Sequence, residues 1–332
     1  MHTDVRTEKQ RKITDLLAAN LPLIGLVVIV IVFQILTGGL LLTDRNIQSL
    51  IDQTYLLMIG CIGSIFLFLQ GGVDLSMTSG IGTCAIMGAF ALNAYGLGAC
   101  IAAMLVTGLI LGLFNGVIYA YTKINPFILS LSVNLVLDGL NYTFTDQLAV
   151  IQIARAYQRS FRGMEFKIGV LVVFALLVFY IYRFTVIGKY SRAIGAGEIA
   201  SRQSGVRVRQ IKILAFAFTG ITCALYGFMT MMKSAGGGPA SGLNVGFNVM
   251  MAMILGGSSM EGGLAAKFKS AIIGALIVTV LTNALSMLGI QAMLQEVIRG
   301  VIFVVVVVLT TRFKDKIEGN RYVVRKAAKK VA

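Results

Sequence analysis

Four polar residues recur along one apolar stretch of the chain, at steps of four, four and three residues. They are Ser130, Asn134, Asp138 and Asn141. Because residues three or four apart stack on the same side of a helix, we expect all four on one face. Hydrogen-bonding groups in a row within an apolar helix suit the passage of a polyhydroxylated solute. Hydrogen bonding to a neighbouring helix, without contact to any solute, is the alternative for each of them.

The polar stretch 70–76, QGGVDLS, holds a second set of candidate solute contacts, Gln70, Asp74 and Ser76. It lies between two apolar runs with no room for a long loop. A charged side chain at mid-depth in a membrane costs at least about 2.5 kcal/mol, so it is usually retained for a function. Asp74 or Ser76 would also serve to cap a helix predicted to begin near Met77. The capping role does not exclude contact with a solute.

Several kinds of reactive site are excluded by residue type. The single histidine is His2, so neither a histidine-based catalytic pair nor a histidine metal site can be built. The four cysteines, Cys61, Cys84, Cys100 and Cys223, lie singly in apolar stretches, which predicts small core residues. No phosphate-binding loop of the form GxxxxGK[ST] occurs. We expect no catalytic residue, no metal site and no cofactor of the chain's own.

The composition is that of an integral membrane protein. Of the 332 residues, 57% are hydrophobic and 13% charged, whereas a soluble domain has about 25% charged residues. Apolar stretches recur that are long enough to cross about 30 Å of hydrocarbon as helices. We therefore predict an all-α polytopic bundle of about ten transmembrane helices with broken or re-entrant Gly-rich segments. The predicted spans are 20–41, 53–70, 77–96, 98–121, 127–145, 168–186, 211–232, 245–256, 269–289 and 294–311.

Small residues mark where the predicted helices should approach each other closely. Glycines recur at three- and four-residue steps in the third and fourth predicted spans, a pattern that favours tight helix packing in lipid. These glycines are Gly80, Gly82, Gly88, Gly108, Gly112 and Gly116. Gly-rich breaks also occur at 71–72 and 236–238. The second of these predicts a sharp re-entry of the chain, and together they point to two inverted halves around a central pathway.

The net charge of +15 indicates orientation rather than nucleic-acid binding, because the basic residues lie in short loops and tails beside apolar spans. Most of them fall on one side of the ten-span prediction, which places both termini in the cytoplasm of a bacterial inner membrane. Anionic lipid headgroups are the expected partners of these residues. The predicted domains are a cytoplasmic tail at 1–19, a transmembrane domain at 20–311 and a basic cytoplasmic tail at 312–332.

Residues 187–212 form a long polar interruption in the apolar second half and carry many basic side chains against a single acid, Glu198. Gly195 and Gly197 precede a short run, Glu198 to Ser204, which Gly205 follows. An acid in the first turn and a glycine just past the end predict a helix of about two turns. Such a helix suits contact with another protein, although a solvated cytoplasmic connector would have the same composition.

This loop resembles the cytoplasmic coupling loop of the ribose-type sugar permeases of ABC importers. The residues that carry the resemblance are Gly195, Glu198, Ala200, Arg202, Ser204, Gly205 and Val206. The stretch 70–76 is similar to the GGIDLS motif of that family, and 255–263 is similar to its LGG(T/S)SLxGG motif. The chain differs at Asp138, where the family often has a basic residue. The resemblance covers most of residues 45–310.

The resemblance implies a permease subunit that forms the pathway of an ATP-driven importer for a monosaccharide such as ribose. It implies three partners: an ABC ATPase that binds ATP and Mg²⁺, an extracytoplasmic sugar-binding protein and a second, identical or different permease chain. It also implies that the coupling helix docks into a groove of the ATPase. A basic outer loop at 146–167, with Arg155, Arg159, Arg162 and Lys167, would suit an acidic surface of the binding protein.

Other functions share some of these features. Permeases of the same family for nucleosides, branched amino acids or a signalling furanone would have the same motifs. An ion-coupled secondary transporter would use buried carboxylates, for which Asp74 and Asp138 are the candidates. A membrane-embedded enzyme is disfavoured because no nucleophile–base pair or metal cluster is visible in the sequence.

Overall fold

The protein folds as an all-α bundle, as the sequence predicts. A computed structural model describes residues 20–122, 124–147, 149–259, 262 and 266–308. Both predicted tails, 1–19 and 312–332, lie outside the described residues. The helices are α1 (Asn20–Leu36), α2 (Asp44–Gly63), α3 (Ile65–Leu69), α4 (Met77–Tyr95), α5 (Leu97–Thr122), α6 (Pro126–Phe144), α7 (Arg155–Phe161), α8 (Met164–Phe184), α9 (Val186–Ala196), α10 (Glu198–Gln203), α11 (Val208–Ser234), α12 (Val245–Leu255), α13 (Phe268–Met287) and α14 (292–308).

Six of the described helices are long and apolar enough to cross a membrane: α4, α5, α6, α8, α11 and α13. Shorter apolar helical segments are Asn20–Leu36 and Pro239–Leu255. The second predicted span, 53–70, is interrupted at Ser64, where α2 ends and α3 begins. The structure therefore supports a multi-pass membrane bundle, while the number of ten crossings stays a prediction.

Glycines bring α5 and α11 into close backbone contact. A Cβ atom on Gly112 would lie 2.4 Å from the carbonyl oxygen of Phe216, and one on Gly108 would lie 2.3 Å from that of Gly220. A Cβ on Gly88 would lie 2.6 Å from Cγ of Met104. These distances confirm the prediction that small residues bring the backbones together. All four cysteines are also buried, as predicted.

The Gly-rich segment after α11 is held firmly within the bundle. Gly236–Gly237 (β2) pairs antiparallel with Ile151–Gln152 (β1), and a 3₁₀ turn follows at Pro239–Gly242. A Cβ on Gly237 would lie 2.2 Å from the carbonyl oxygen of Ala85. The chain breaks between α11 and α12 at this point, and close packing against α4 explains why glycine occupies position 237. We call this end of the bundle the ribbon end and the opposite end, with α9 and α10, the loop end.

The segment 146–167 differs from the predicted polar loop. It contains β1, α7 and the start of α8. Lys167 is buried in α8 and forms an ion pair with Asp52, whose other oxygen is 2.9 Å from the amine of Lys233. The expectation that Lys167 lies on a solvated outer surface is wrong, because this amine is paired inside the chain.

Candidate functional site

The predicted short helix is present at the loop end as α10, and Gly205 follows its end. Gly205 has φ +81°, a conformation that favours glycine. Its amide donates to the carbonyl of Arg202, and the amide of Val206 donates to that of Ser201. These two bonds satisfy the last carbonyls of the helix in a Schellman arrangement. The prediction of a glycine-terminated helix is therefore confirmed, with the helix ending one residue earlier, at Gln203.

The first half of the predicted loop is itself helical, which the sequence interpretation did not anticipate. Residues Val186–Ala196 form α9, so Gly195 lies within a helix rather than in a turn. α9 buries Gly188, Ser191 and Ile194 at steps of three residues. This spacing places them on one side of a helix, and it is the signal by which α9 could have been found.

Glu198 connects α10 to α11. Its Oε2 lies 2.8 Å from Nζ of Lys212, and its Oε1 lies 2.9 Å from Nη2 of Arg202. Nζ of Lys212 also lies 4.5 Å from the ring centroid of Tyr119 on α5. The hydrogen bond from Lys212, opposed in part by burial, lowers the pKa of Glu198 below its ordinary value. One carboxylate thus fixes the orientation of α10 on the helix that runs into the bundle.

The outer side of α10 is exposed. Ala200, Arg202, Ser204 and Gly205 all face solvent, while Ser201 is buried. Ile199 is 75% exposed, although it is a large apolar residue beside charged neighbours. Single exposed apolar residues are common, but this one lies at the centre of the predicted coupling surface. Sequence reasoning missed Ile199, and its position directly after Glu198 in a polar loop was the available signal.

A buried polar cluster surrounds Asp74 between α4, α5 and α11. One oxygen of Asp74 accepts from the amide and hydroxyl of Ser76, and the other accepts from the hydroxyl of Thr219 at 2.9 Å. The hydroxyl of Ser76 accepts from the amide of Asn115 at 2.8 Å. Asp74 therefore holds the start of α4, as the capping interpretation predicts, and it also joins α4 to α11.

Three of the four polar residues of α6 contact α4 or the segment directly before it. Ser130 accepts from the amide of Leu75 at 3.0 Å, and Asn134 accepts from the amide of Ser79 at 3.0 Å. Asn141 donates to the carbonyl of Ser79 and accepts from Thr83.

Asp138 is exposed and does not join this contact. The expectation that all four share one face is wrong for Asp138, because Leu137 occupies the corresponding buried position.

Gln70 lies near the loop end, where it donates to the hydroxyl of Ser191 on α9 at 3.1 Å. Next to it, a Cβ on Gly262 would lie 2.5 Å from the amide nitrogen of Gly71. The two Gly-rich motifs of the sequence therefore meet in space. Glu261 and its neighbours 260 and 263–265 lie outside the described residues.

Two cavities of the described chain are not lined by the predicted pathway residues. One cavity of about 340 Å³ lies between α12 and α14, and one of about 250 Å³ lies at the ribbon end. Neither is lined by Gln70, Asp74, Ser76 or the polar residues of α6. Among the described residues, no group of three or more His, Cys, Asp or Glu side chains is arranged to hold a metal ion.

Comparison with known proteins identifies the family. Residues 46–307 match the family model described as branched-chain amino acid transport system, permease component. The chain belongs to this family. It is a transport permease component, which confirms the prediction of a transport subunit instead of an enzyme. No solved structure matches the chain at a significant level.

The curated relatives of this permease span nearly the same length. The chain is 28% identical to the xylose transport system permease protein of Haemophilus influenzae, over 89% of this chain and 96% of the relative. It is 27% identical to the ribose import permease protein of Escherichia coli strain K12, over 87% and 92%. It is 30% identical to the L-arabinose ABC transporter permease protein of Azospirillum brasilense, over 84% and 85%.

Some polar residues of the permease core were missed from sequence. Asn115 is 1% exposed, and its Oδ1 has no hydrogen-bond partner among the described residues. Thr219 donates a hydrogen bond to the second carboxylate oxygen of Asp74. An asparagine within a span is an available signal, since buried amides in apolar helices find partners across helices. Thr219 carries no comparable signal, because threonine is common in apolar helices.

Proposed function

We propose that this permease forms the pathway of an ATP-driven importer for a monosaccharide such as ribose. The observation that carries the proposal is the α10 surface, an exposed helix fixed to α11 by Glu198 in a chain that lacks a phosphate-binding loop. The relatives named for xylose, ribose and L-arabinose transport support the solute class.

ATP and Mg²⁺ are bound by a separate ABC ATPase, which docks against α10. Ala200, Arg202, Ser204 and Gly205 form the exposed contact, and Ile199 supplies an apolar anchor at its centre. Glu198 and Gly195 act by positioning this surface. Movement of the ATPase pair is carried through Glu198 and Lys212 into α11, which contacts α5 throughout the bundle.

The permease crosses the inner membrane about ten times, with the loop end and both termini in the cytoplasm. The tails at 1–19 and 312–332 flank a transmembrane domain at 20–311. Their basic residues contact anionic lipid headgroups. Orientation follows from the concentration of Lys and Arg around α9 and α10.

Two further partners complete the transporter. A second permease chain, identical or different, pairs with this one around the pathway. An extracytoplasmic sugar-binding protein docks at the ribbon end. There, Arg155, Arg159 and Arg162 are exposed at and after α7, which suits an acidic protein surface.

The predicted pathway residues have two different roles in this proposal. Gln70, Asp74, Ser76, Ser130, Asn134 and Asn141 form the rigid wall behind the pathway, because each makes at least one hydrogen bond within the chain. Asp138 is exposed on α6, and a carboxylate at that depth requires water or protein in front of it. Asp138 is therefore the member of the set that faces the pathway.

Uptake of labelled sugars by the reconstituted permease, ATPase and binding protein tests the proposal. We expect uptake of ribose, xylose or arabinose, and we expect that nucleosides and branched amino acids do not inhibit this uptake. The family description names branched-chain amino acids, so competition by leucine or isoleucine would favour that alternative.

Labelling of an Arg202→Cys variant tests orientation: reaction from the cytoplasmic side is expected, and reaction from the outside would contradict the proposal.

A further inference from the structure

A cleft with ionisable side chains opens between α12 and α14. Its volume is about 340 Å³, and its lining includes Asn244, Phe247, Asn248, Glu296, Arg299 and Phe303. Glu296 and Arg299 lie one turn apart in the helix that the sequence predicts as the tenth span. Ionisable residues within a span rarely face lipid, because hydrocarbon does not solvate them. Water or protein must therefore cover this side of α14.

Two polar clamps connect the helices across the cleft. Nδ2 of Asn244 donates to Oε1 of Glu296 at 2.5 Å, and Nη1 of Arg299 donates to Oδ1 of Asn248 at 3.0 Å. Each clamp uses only one end of its amide. Within the described residues, Oδ1 of Asn244 and Nδ2 of Asn248 make no hydrogen bond. The clamps thus leave one acceptor and one donor, about one helical turn apart, available to a ligand.

The apolar part of the cleft complements these two groups. Phe247 is 47% exposed, and Phe303 lies on the facing helix. Small-molecule sites combine apolar and aromatic walls with a few polar groups, in volumes of about 300–1,000 Å³. Each hydroxyl of a sugar both donates and accepts a hydrogen bond, so neighbouring hydroxyls match a fixed acceptor and donor. The ring carbons would then lie against the phenyl side chains.

The position of the cleft in the fold is also that of a transport site. Asn244 is the N-cap of α12, shortly after the Gly-rich segment, with φ 60°. Ends of discontinuous helices, where the chain breaks within a membrane bundle, are common solute sites in transporters. By contrast, both carboxylate oxygens of Asp74 are bonded within the chain.

We propose that the α12–α14 cleft is the place where the permease contacts its neutral, polyhydroxylated solute during passage. Asn244 and Asn248 bond the hydroxyls, Phe247 and Phe303 contact the ring, and Glu296 and Arg299 position the two amides. This assignment rests on the proposed function as a sugar importer, and it moves the solute contact away from the buried residues of α4 and α6.

Thiol labelling of the assembled transporter tests whether the cleft is lined with water. The native cysteines are buried, so a Phe247→Cys thiol would dominate the reaction with a membrane-impermeant methanethiosulfonate. We expect rapid modification that is slowed by ribose, xylose or arabinose. The control is Val173→Cys on α8, 66% exposed on an apolar helix and expected to face lipid. Modification of both thiols at the same slow rate, or no protection by any of these sugars, would overturn the proposal.

Uptake by alanine variants separates the cleft from the wider function. Asn248→Ala should reduce sugar uptake about tenfold while ATP hydrolysis stimulated by the binding protein is retained. Gln34→Ala, which removes a side-chain amide of α1 bonded to Gly39 and Leu42, should not change uptake. If the wild type imports sugar and Asn248→Ala imports it at the same rate, the assignment of the solute contact to the cleft is wrong and the proposed function stands. If the wild type imports no sugar, the proposed function fails, and the labelling rates still decide whether the cleft holds water.

Discussion

Oε2 of Glu198 and Nζ of Lys212 lie 2.8 Å apart, which joins the short exposed helix α10 to the long buried helix α11. Lys212 is itself buried and rests on the ring of Tyr119. A force applied to α10 therefore reaches α5 and α11 through fixed contacts. This connection makes the loop end the physical basis of the proposed coupling to an ATPase.

Replacement of Ile199 tests the coupling surface. Ile199→Arg should weaken ATPase association at least about tenfold, because a desolvated apolar anchor carries much of the energy of an interface. Co-purification of the ATPase with the tagged permease measures this effect. The control is Ile47→Arg in α2, 38% exposed and far from α10 in the sequence. Equal ATPase recovery with both variants would remove Ile199 from the contact.

The conformation of Gly205 provides a second test. Gly205→Ala should lower stability by about 1–2 kcal/mol, because a side chain is unfavourable at φ +81°. No atom lies within 4 Å of the added Cβ, so the effect would come from the backbone alone. Gly197→Ala is the matched control, since its φ of 169° is open to any residue. Thermal unfolding of the purified complex measures the stability of both variants. A similar loss of stability in each would contradict the role of Gly205 in ending α10.

The ion pairs of Glu198 predict a dependence on pH. Pairing lowers the pKa of this carboxyl in the folded chain. The stabilisation that the pairs provide is therefore complete well above the ordinary pKa of glutamate, about 4.3. The contribution is lost as pH falls through the lowered pKa. The melting temperature of the wild type should exceed that of Glu198→Gln at neutral pH, and the two should converge in acid. A difference in melting temperature that does not change with pH would show that the ion pairs of Glu198 do not cause it.

Packing between α5 and α11 predicts a further asymmetry among glycines. Gly112→Ala should destabilise by about 1–3 kcal/mol, because the added methyl group would meet the carbonyl oxygen of Phe216 at 2.4 Å. Gly169→Ala on α8, where no atom lies within 4 Å of the added Cβ, should be neutral or slightly stabilising. Melting temperatures in detergent compare the two variants. Equal tolerance would mean that α5 and α11 are less closely packed than described.

Six long apolar helices, α4, α5, α6, α8, α11 and α13, were predictable because each is a continuous apolar run. The end of α10 was also predictable, since Gly205 is required by its φ angle. The orientation of single side chains was harder. Asp138 fits the helical spacing of Asn134 and Asn141, yet the face it would share is closed by Leu137. Spacing gives only an angle around the helix axis, and the neighbouring helix decides which residues are covered.

The location of the proposed solute site could not be predicted from the sequence. The sequence singled out Asp74 because it is a carboxylate in an apolar region, but its hydrogen bonds to Ser76 and Thr219 are contacts within the chain. The amides of Asn244 and Asn248 contact α14 residues about fifty positions later. Contacts between residues so distant in sequence leave no local pattern, so only the fold brings them together.

The most direct test of the central claim is sugar uptake by the reconstituted transporter with an active or a hydrolysis-deficient ATPase. The account predicts uptake only with the active ATPase and the binding protein, and its loss in the Ile199→Arg permease. Uptake that persists with the inactive ATPase and follows an ion gradient would contradict it, and would instead indicate a secondary transporter that uses Asp74 or Asp138.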